Sequence, residues 1–333
     1  MPAPRHTPHA RVLVTAAVIG MLALTGCTPQ PTGDESAATE PSGASATAPI
    51  DDCGVTVTPM EQPAERIVAV KSTAAELVVA LGLGDALVST AFLDGPLAGP
   101  DGTAVDAPTI EGMPSREAVL ALEPDAVVAG WESAFAPEAV GDRERLQQLG
   151  VQTWVSPAAC WSTDVPALTW DALFDEFGAA GAALGVPEAG AALAQDRRDA
   201  LGAIDPVEPG TRALWYSSGE DAPYVGAGAG APQLVLEAAG LANVAADIDE
   251  TWTTMSWEAL AASDPDVIVL VDAPWHTAAS KIERLRSNAA TAQLAAVQQE
   301  RFVVVPFPTA EAGVGTVDAV RLVTDGVRAM DLG

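Results

Sequence analysis

Positive charge is scarce in this sequence of 333 residues, which contains 16 lysines and arginines against 45 aspartates and glutamates. The resulting net charge of −29 repels nucleic acid and anionic lipid headgroups, so we expect neither as a partner. Only two of the basic residues are lysines, Lys71 and Lys281. Few ammonium groups are therefore available to a negatively charged ligand.

Histidine is almost as rare, since the sequence contains only His6, His9 and His276. A hydrolase built on a serine and a histidine base would need a triad or a nucleophile elbow, and no G-x-S-x-G motif is present. The scattered histidines and cysteines do not have the spacing of a metal site either. We therefore predict that the protein is not an enzyme and that it uses no metal and no cofactor.

A hydrophobic run long enough to span a membrane is also missing. The run at residues 12–24 has 13 residues, whereas a spanning helix needs about 20. It follows Arg5 and Arg11 and leads into LTGC at residues 24–27, the pattern of a secretory signal, which we assign to residues 1–26. The ending resembles the bacterial lipobox, which implies a lipid on Cys27 and a location on the extracytoplasmic face of the cell membrane. An ordinary cleaved signal is the alternative.

Residues 27–50 are mostly Pro, Gly, Ser, Thr, Ala and acidic residues, so we predict a disordered tether there. Loss of the signal, which has two arginines and no acids, would change the net charge from −29 to −31. Cys53 and Cys160 follow the tether, and an oxidising compartment favours a disulfide between them. Sequence alone leaves open whether their Cα atoms are close enough.

One segment of the sequence occurs twice. SREAVLALEPDAVVAG at residues 115–130 recurs as SWEALAASDPDVIVLV at residues 256–271, with Ser-x-Glu-Ala and Pro-Asp at matching offsets. The 141-residue displacement is about the length of a domain. We predict an α/β fold with two Rossmann-like lobes, each with a parallel sheet, at residues 51–168 and 206–333. A helical connector at residues 169–205, broken or kinked at Pro187, would join them, with a ligand cleft between the lobes.

Apolar runs and turn residues indicate alternating strands and helices in both halves. The predicted strands are Arg66–Val70, Ala86–Thr90, Ala126–Gly130, Val151–Ser156, Arg212–Ser217, Asn243–Asp247, Val267–Val271 and Arg301–Val305. The predicted helices between them are Ala74–Leu81, Ser115–Leu122, Pro137–Leu149, Pro232–Ala239, Ser256–Ala262 and Lys281–Val297.

Over residues 53–332 the chain resembles the helical-backbone class (class III) of substrate-binding lipoproteins of ABC importers, which carry cobalamin, ferric siderophores and haem. The resemblance rests on the lipobox, the tether, the duplicated segment and ERIVAVKSTAAELVVALGLGDALV at residues 65–88. Four further segments, AGWES, LWYSSGEDAPYVGAGAGAPQ, TWTTMSWEA and DAPWHTAASKI, are most similar to actinobacterial lipoproteins assigned to the deazaflavin precursor F420-0.

This resemblance implies a monomer that delivers a small-molecule ligand to an ABC permease and its ATPase. F420-0 is the first candidate ligand, and cobalamin or a ferric siderophore is the alternative. The resemblance also implies that a glutamate on each lobe docks onto permease arginines, and the motif places these at Glu117 and Glu258. Each follows a serine that can cap a helix, although acidic residues are favoured in the first turn of any helix.

Open α/β sheets bind ligands at the carboxyl ends of their strands, which directs attention to the residues that follow each predicted strand. Several of the scarce aromatic residues lie there, and their rings could stack on a planar ligand. For any single tryptophan the alternative is packing in the core. We interpret Trp154 and Trp170 as core residues. Lys71 could receive a phosphate or simply be a solvated residue beside a helix cap, and the glycines at 226–230 could form a backbone cradle or a loop. The predicted ligand-binding residues are Lys71, Ser72, Thr73, Trp131, Glu132, Ser217, Ser218, Tyr224, Trp252, Trp275, His276 and Phe307.

Overall fold

A computed structural model describes residues 48–98, 103–160, 166–330 and 332. The predicted signal, Cys27 and nearly all of the tether lie outside these residues. Within them, no helix is long and apolar enough to cross a membrane. The predicted boundaries of the two lobes and of the connector stay a prediction, although both sheets and the helices between them are present.

In the first half of the chain, the described residues form seven strands and three α-helices, followed by two α-helices of the connector. The strands are β1 Ile50–Asp52, β2 Val55–Val57, β3 Ile67–Val70, β4 Leu87–Ala91, β5 Thr109–Ile110, β6 Ala126–Ala129 and β7 Gln152–Val155. The helices are α1 Ser72–Ala80, α2 Arg116–Leu120, α3 Arg143–Gln148, α4 Trp170–Ala183 and α5 Pro187–Gly202.

The second half of the chain forms six strands and six helices among the residues described. The strands are β8 Arg212–Ser218, β9 Tyr224–Gly226, β10 Ala242–Asn243, β11 Trp252–Thr254, β12 Val267–Asp272 and β13 Phe302–Pro306. The helices are α6 Ala231–Ala238, α7 Trp257–Ser263, α8 Ala278–Ser287, α9 Ala295–Gln298, α10 Phe307–Ala310 and α11 Thr316–Arg328.

The sheet of the first lobe is parallel throughout, with the strand order β5-β4-β3-β6-β7. Its central strands are fully buried because helices cover both faces. Ile67 and Ala69 point to the core formed with α1 and α4, whereas Val68 and Val70 point to the core formed with α2 and α3. A short antiparallel hairpin, β1–β2, precedes this sheet.

The sheet of the second lobe is mixed. Strands β10, β8, β12 and β13 are parallel, as predicted, but β9 and β11 add an antiparallel edge to β8 that the sequence analysis missed. The strand predicted at residues 243–247 ends at Asn243. The reason is that the Asn243 side chain donates to the carbonyls of Gly226 and Ala227 and accepts from the Ala245 amide, which turns the chain away from the sheet.

The connector is helical and is broken at Pro187, as predicted: it consists of two packed helices, and Pro187 is the first residue of α5. The two helices approach closely at Gly181 and Gly190, where a Cβ atom on Gly181 would lie 2.7 Å from the Gly190 Cα atom. Both helices bury residues in the core of the first lobe, including Phe177 and Leu193. The connector is therefore part of the first lobe's packing as well as the link to the second.

Two helical predictions need correction, and one long helix was missed. The helix predicted at residues 137–149 begins only at Arg143, because Gly141 has a φ of 96° and Asp142 caps the helix. The helix predicted at residues 281–297 is divided into α8 and α9, because the Asn288 side chain accepts from the Ala290 amide in a turn. Helix α11 was not predicted, and it joins the lobes, since its Val317 packs in the first core and its Val320 in the second.

The duplicated segment has the same local structure in both lobes. Ser115 and Ser256 cap α2 and α7 through their side chains, by accepting from the amide three residues later. The aspartates of the two Pro-Asp pairs also make matching contacts. Asp125 accepts a hydrogen bond from the amide of Arg66, just before β3, and Asp266 accepts one from the amide of Arg212, the first residue of β8. Each copy therefore ties its own helix-strand unit to the neighbouring strand of the sheet.

Candidate ligand-binding site

A cavity of about 480 Å³ lies between the two sheets at the carboxyl ends of their strands. Its size is within the range of sites for small molecules and cofactors. Residues that follow β6 and β7 in the first lobe and β8, β12 and β13 in the second reach it because parallel strands end at the same edge of a sheet. Pro166 and Leu168, at the start of the connector, complete its wall.

Eight of the twelve predicted ligand-binding residues line this cavity. Trp131 and Glu132 come from the first lobe, and the other six come from the second. The eight residues are Trp131, Glu132, Ser217, Ser218, Tyr224, Trp252, Trp275 and Phe307. Their contact with a ligand stays a prediction.

Aromatic rings dominate the second-lobe side of the cavity. Tyr224 and Trp252 stack with ring centroids 5.8 Å apart and an angle of 19° between their planes, because β9 and β11 pair as antiparallel neighbours. Trp275 is 54% exposed and contacts the Phe307 ring edge to face, with centroids 5.4 Å apart. Exposed aromatic surface of this kind can stack on a planar ligand and exclude water from it.

Lys71 does not line the cavity. Its side chain is only 1% exposed, and the Nζ atom lies 2.7 Å from Oδ1 of Asp94 in a buried ion pair. The Nζ atom also lies 4.4, 4.0 and 5.1 Å from the ring centroids of Phe92, Trp131 and Phe307. The expectation of a solvated lysine beside a helix cap is wrong, and the ammonium group has partners that an anionic ligand would have to displace.

Glu311 lines the cavity but was missed in the sequence analysis. Its Oε1 atom accepts a hydrogen bond of 2.8 Å from the indole Nε1 of Trp131, which joins the second lobe to the first. Burial raises the pKa of Glu311 to about 7, although the Trp131 hydrogen bond and Lys71 oppose this shift. Phe307 was identified because it directly follows a predicted strand. Glu311 lies four residues further on, after α10, so a search of the residues next to strand ends did not reach it.

The other three predicted residues outside the cavity are Ser72, Thr73 and His276. The Ser72 hydroxyl accepts from the Asp94 amide at 2.8 Å. Thr73 is buried, and within the described residues its hydroxyl has no hydrogen-bond partner. His276 packs edge to face with Tyr216, and burial lowers the pKa of its ring. The carbonyl of His276 accepts from the buried Nζ of Lys281 at 2.6 Å, so the second lysine holds the loop after β12.

No basic side chain lines the described part of the cavity, whereas Glu132 and Glu311 do. The predicted glycine cradle is partly filled by neighbouring atoms, although Gly230 lines the cavity: a Cβ atom on Gly228 would lie 2.1 Å from the Ala246 carbonyl oxygen, and one on Gly226 would lie 2.2 Å from the Pro232 side chain. Gly228 therefore allows close packing against the loop before β11, and Gly226 allows close packing against α6. The described lining therefore offers rings, hydroxyls and carboxyl groups to a ligand, and no side-chain cation is among the residues described there.

A second, much smaller void of about 10 Å³ lies beneath the cavity, large enough for about one water molecule. Thr73, Ser156 and Glu176 contribute buried polar groups to its wall. Burial raises the pKa of Glu176 to about 8, and the nearby Asp52 adds to this shift. Burial therefore favours the neutral form of the Glu176 carboxyl group.

Glu117 and Glu258, the predicted docking residues, are exposed in the first turns of α2 and α7. Hydrogen bonds from the Glu117 amide and from Ser115 lower the pKa of the Glu117 carboxyl group. Crossover helices run antiparallel to their strands, so both glutamates lie toward the carboxyl edges that border the cavity. Their role in docking stays a prediction.

Cys53 and Cys160 form a disulfide with their Cα atoms 5.4 Å apart. Among the described residues, Asp52, Cys53 and Cys160 are the one group with the proximity of metal ligands. The disulfide uses both sulfur atoms, so this group does not offer thiolates to a metal ion. Instead, the bridge links the hairpin β1–β2 to the loop after β7, where Cys160 borders the cavity.

The fold and cavity together define a two-lobed solute-binding protein. The chain belongs to the periplasmic binding protein family, whose model matches residues 67–309. A cobalamin-binding protein from Halobacterium salinarum is 28% identical over 276 residues, which cover 78% of this chain and 68% of the relative. The structure of a protein of an ABC-type Fe3+-hydroxamate transport system from Saccharomonospora viridis is similar, with 25% identity, a TM-score of 0.68, and coverage of 85% of this chain and 99% of the other.

A periplasmic binding protein from Veillonella parvula has the same fold, with a TM-score of 0.72, 21% identity, and coverage of 87% of this chain and 100% of the other. These similarities agree with the α/β architecture predicted from sequence and with a binding role in transport.

Proposed function

We propose that the protein is the solute receptor of an ABC importer and that it binds a bulky, ring-bearing, cofactor-type ligand in the cavity between its lobes. The observation that carries this proposal is the aromatic wall formed by Tyr224 and Trp252 on the antiparallel edge of the second sheet and by Trp275 and Phe307 after β12 and β13, in a chain of the periplasmic binding protein family. The receptor acts as a monomer, is anchored by a lipid on Cys27, and delivers its ligand to a permease driven by an ATPase.

F420-0 is the first candidate ligand, because the segments that resemble the F420-0 lipoproteins supply Trp131, Tyr224, Trp252 and Trp275 to the cavity. A planar deazaflavin ring could stack on these side chains, and such stacking contributes about 1–3 kcal/mol per ring. The phosphate and carboxylate of F420-0 would then depend on neutral donors, such as the hydroxyls of Ser217 and Ser218.

Cobalamin or a ferric siderophore is the alternative, and one observation favours it. The described cavity lining has two carboxyl groups and no basic side chain, so a ligand with several negative charges would lose solvation without gaining an ionic partner. A related protein is named for cobalamin and a similar structure for ferric hydroxamate transport, which supports these two ligands as the ones to compare with F420-0.

Tryptophan fluorescence distinguishes these ligands. The purified mature protein is titrated in parallel with F420-0, cobalamin and a ferric hydroxamate, with correction for ligand absorbance. The variant Trp252→Leu should bind the cognate ligand about tenfold more weakly, because it removes one ring of the stacked pair. The matched control is Trp170→Leu, whose ring stacks on Phe174 outside the cavity. Saturable binding of none of the three ligands would contradict the proposal.

Docking by Glu117 and Glu258 is tested by charge reversal. We expect Glu117→Arg or Glu258→Arg to abolish uptake while ligand affinity stays unchanged, since both side chains are exposed and neither lines the cavity. Glu188→Arg is the matched control, because Glu188 is also an exposed glutamate in the first turn of a helix, α5. Loss of ligand affinity in either docking variant, or normal uptake in both, would contradict this role.

The lipid anchor has a separate test. Cys27→Ser in the full chain should release the protein from the membrane fraction without changing its ligand affinity, because residue 27 is distant in sequence from every cavity residue. Retention of the variant on membranes would show that another feature holds it there.

A further inference from the structure

We propose that the buried Lys71–Asp94 ion pair is a positioning element of the ligand cavity, which holds the Trp131 ring in place between Lys71 and Glu311 of the second lobe. Lys71 would act through Trp131 and Phe307 and would not touch the ligand itself. This inference rests on the proposed function, because the position of Trp131 would determine how tightly the cavity binds its ligand.

The backbone at this position is the first argument. Lys71 has a φ of 81° and a ψ of 151°, a region that is almost restricted to glycine. Phe92, which also contacts the Lys71 ammonium group, has a φ of 51°. Glycine would adopt this backbone conformation without strain. A lysine can hold it only because the contacts of its side chain keep it in place.

The contacts of the ammonium group are the second argument. Asp94 supplies the counter-charge, and its own amide is held by the Ser72 hydroxyl, which keeps the carboxylate in one position. Three rings lie within the range of cation–π attraction to the Nζ atom, and the nearest is Trp131 at 4.0 Å. One of these rings, Phe307, belongs to the second lobe, so the cation contacts side chains of both lobes.

The position of Trp131 is the third argument. Its ring faces the Lys71 ammonium group, and its Nε1 atom donates to Glu311 at 2.8 Å. Two directional contacts therefore orient one ring, and that ring lines the cavity together with Phe307 and Glu311. Loss of the cation removes one of these contacts, so the ring is held less firmly by its hydrogen bond to Glu311 and its edge contact with Phe92, which changes the surface that a ligand meets.

The test uses a double variant, Lys71→Met with Asp94→Leu, because Lys71→Met alone would leave a buried unpaired carboxylate and could fail to fold. The matched control is Asp52→Leu with Arg143→Met, which replaces the other buried ion pair of the first lobe, and neither of its residues lines the cavity. Both doubles replace two buried charges by apolar side chains.

The first readout needs no ligand. The indole Nε1–H resonance of Trp131 in ¹⁵N-tryptophan-labelled full mature protein, assigned with Trp131→Phe, is followed as a function of pH. In the unchanged protein it should titrate near pH 7 with Glu311, which faces Lys71, Asp94 and Glu76. The Lys71 double should move the midpoint to higher pH, since Lys71 lowers the pKa of Glu311 by more than Asp94 raises it, and the control should not.

The second readout is affinity for cobalamin and for F420-0, measured separately by fluorescence titration. The ligand that the unchanged protein binds should bind about tenfold more weakly to the Lys71→Met, Asp94→Leu double variant. Its affinity for the control double variant should stay within about twofold of its affinity for the unchanged protein. An unchanged Trp131 resonance and midpoint in the Lys71 double, or equal losses of affinity in both doubles, would overturn the proposal. If the unchanged protein binds neither probe, the proposed function fails, and the resonance alone still decides whether Lys71 positions Trp131.

Discussion

The two lobes are built from the same repeated unit but have different interiors. The first lobe buries two ion pairs, Lys71–Asp94 and Arg143–Asp52, and contains the disulfide. In the described part of the second lobe, the ion pairs are on the surface, and the buried Lys281 is bonded to backbone carbonyls. The second lobe supplies most of the aromatic surface of the cavity.

The different interiors of the two lobes indicate which residues of the repeated helix-strand unit are needed for the fold and which can vary with the ligand site. The capping serines and the Pro-Asp aspartates make the same contacts in both lobes. The residues that follow the strands differ, because they form opposite walls of one cavity. The stability of the first lobe should therefore respond to loss of cross-links and charges far more than that of the second.

Removal of the disulfide should have the largest effect on stability. The Cys53→Ala, Cys160→Ala double opens a loop with a sequence separation of 107 residues, and chain entropy predicts a loss of about 4–5 kcal/mol in the free energy of unfolding. Urea unfolding of the mature protein measures it, and the unchanged protein with and without reductant is the control. A loss below about 1 kcal/mol would mean that the bridge does not stabilise the first lobe.

Loss of one partner of a buried ion pair should rank next. Arg143→Leu leaves the Asp52 carboxylate buried and unpaired, and we expect a loss of about 3–5 kcal/mol in the free energy of unfolding. The second-lobe counterpart, Arg286→Leu, removes an exposed partner of Glu300 and should cost at most about 1 kcal/mol. Equal losses in urea unfolding would remove the contrast between the two lobes.

The pH dependence of stability should reflect the buried carboxyl groups beneath the first sheet. Burial raises the pKa of Glu176 from 4.5 to about 8, so the folded state binds an extra proton between these pH values and the free energy of unfolding falls as pH rises through that range. Each such group contributes a slope of up to about 1.4 kcal/mol per pH unit.

Glu176→Gln should flatten this slope between pH 5 and 8, as measured by urea unfolding at several pH values. Glu188→Gln, at an exposed position on α5, is the control and should leave the slope unchanged. A slope that is the same in the Glu176 variant, or stability that increases with pH in the unchanged protein, would contradict the assignment.

The smallest effect should come from the residues that are equivalent in both lobes. Glu117→Gln and Glu258→Gln change exposed side chains at matching positions of α2 and α7. Both variants should keep the urea midpoint of the unchanged protein, because neither side chain packs in a core. A clear loss in only one of them would show that the two copies do not have the same structural role.

Much of the fold could be predicted from sequence because its signals are local. The runs that form β3, β6, β8 and β12 are nearly continuous and apolar, and the duplicated segment shows which helix precedes which strand. The antiparallel edge β9–β11 could not be recognised, because its strands have three residues each and β9 runs directly into the glycines of residues 226–230. Helix α11 was missed despite its regular apolar face.

The candidate site divides in the same way. That aromatic residues follow the strand ends was visible in the sequence, and eight of the twelve predicted residues line one cavity as a result. The contacts around Lys71 were not visible in the sequence. Its counter-ion Asp94 is 23 residues away, and Glu311, which accepts from the neighbouring Trp131 ring, is separated from Trp131 by 180 residues. Sequence pattern determined most of the strands and helices, whereas only tertiary packing decided which charges are buried in pairs within the first lobe and which side chains of the two lobes meet at the cavity.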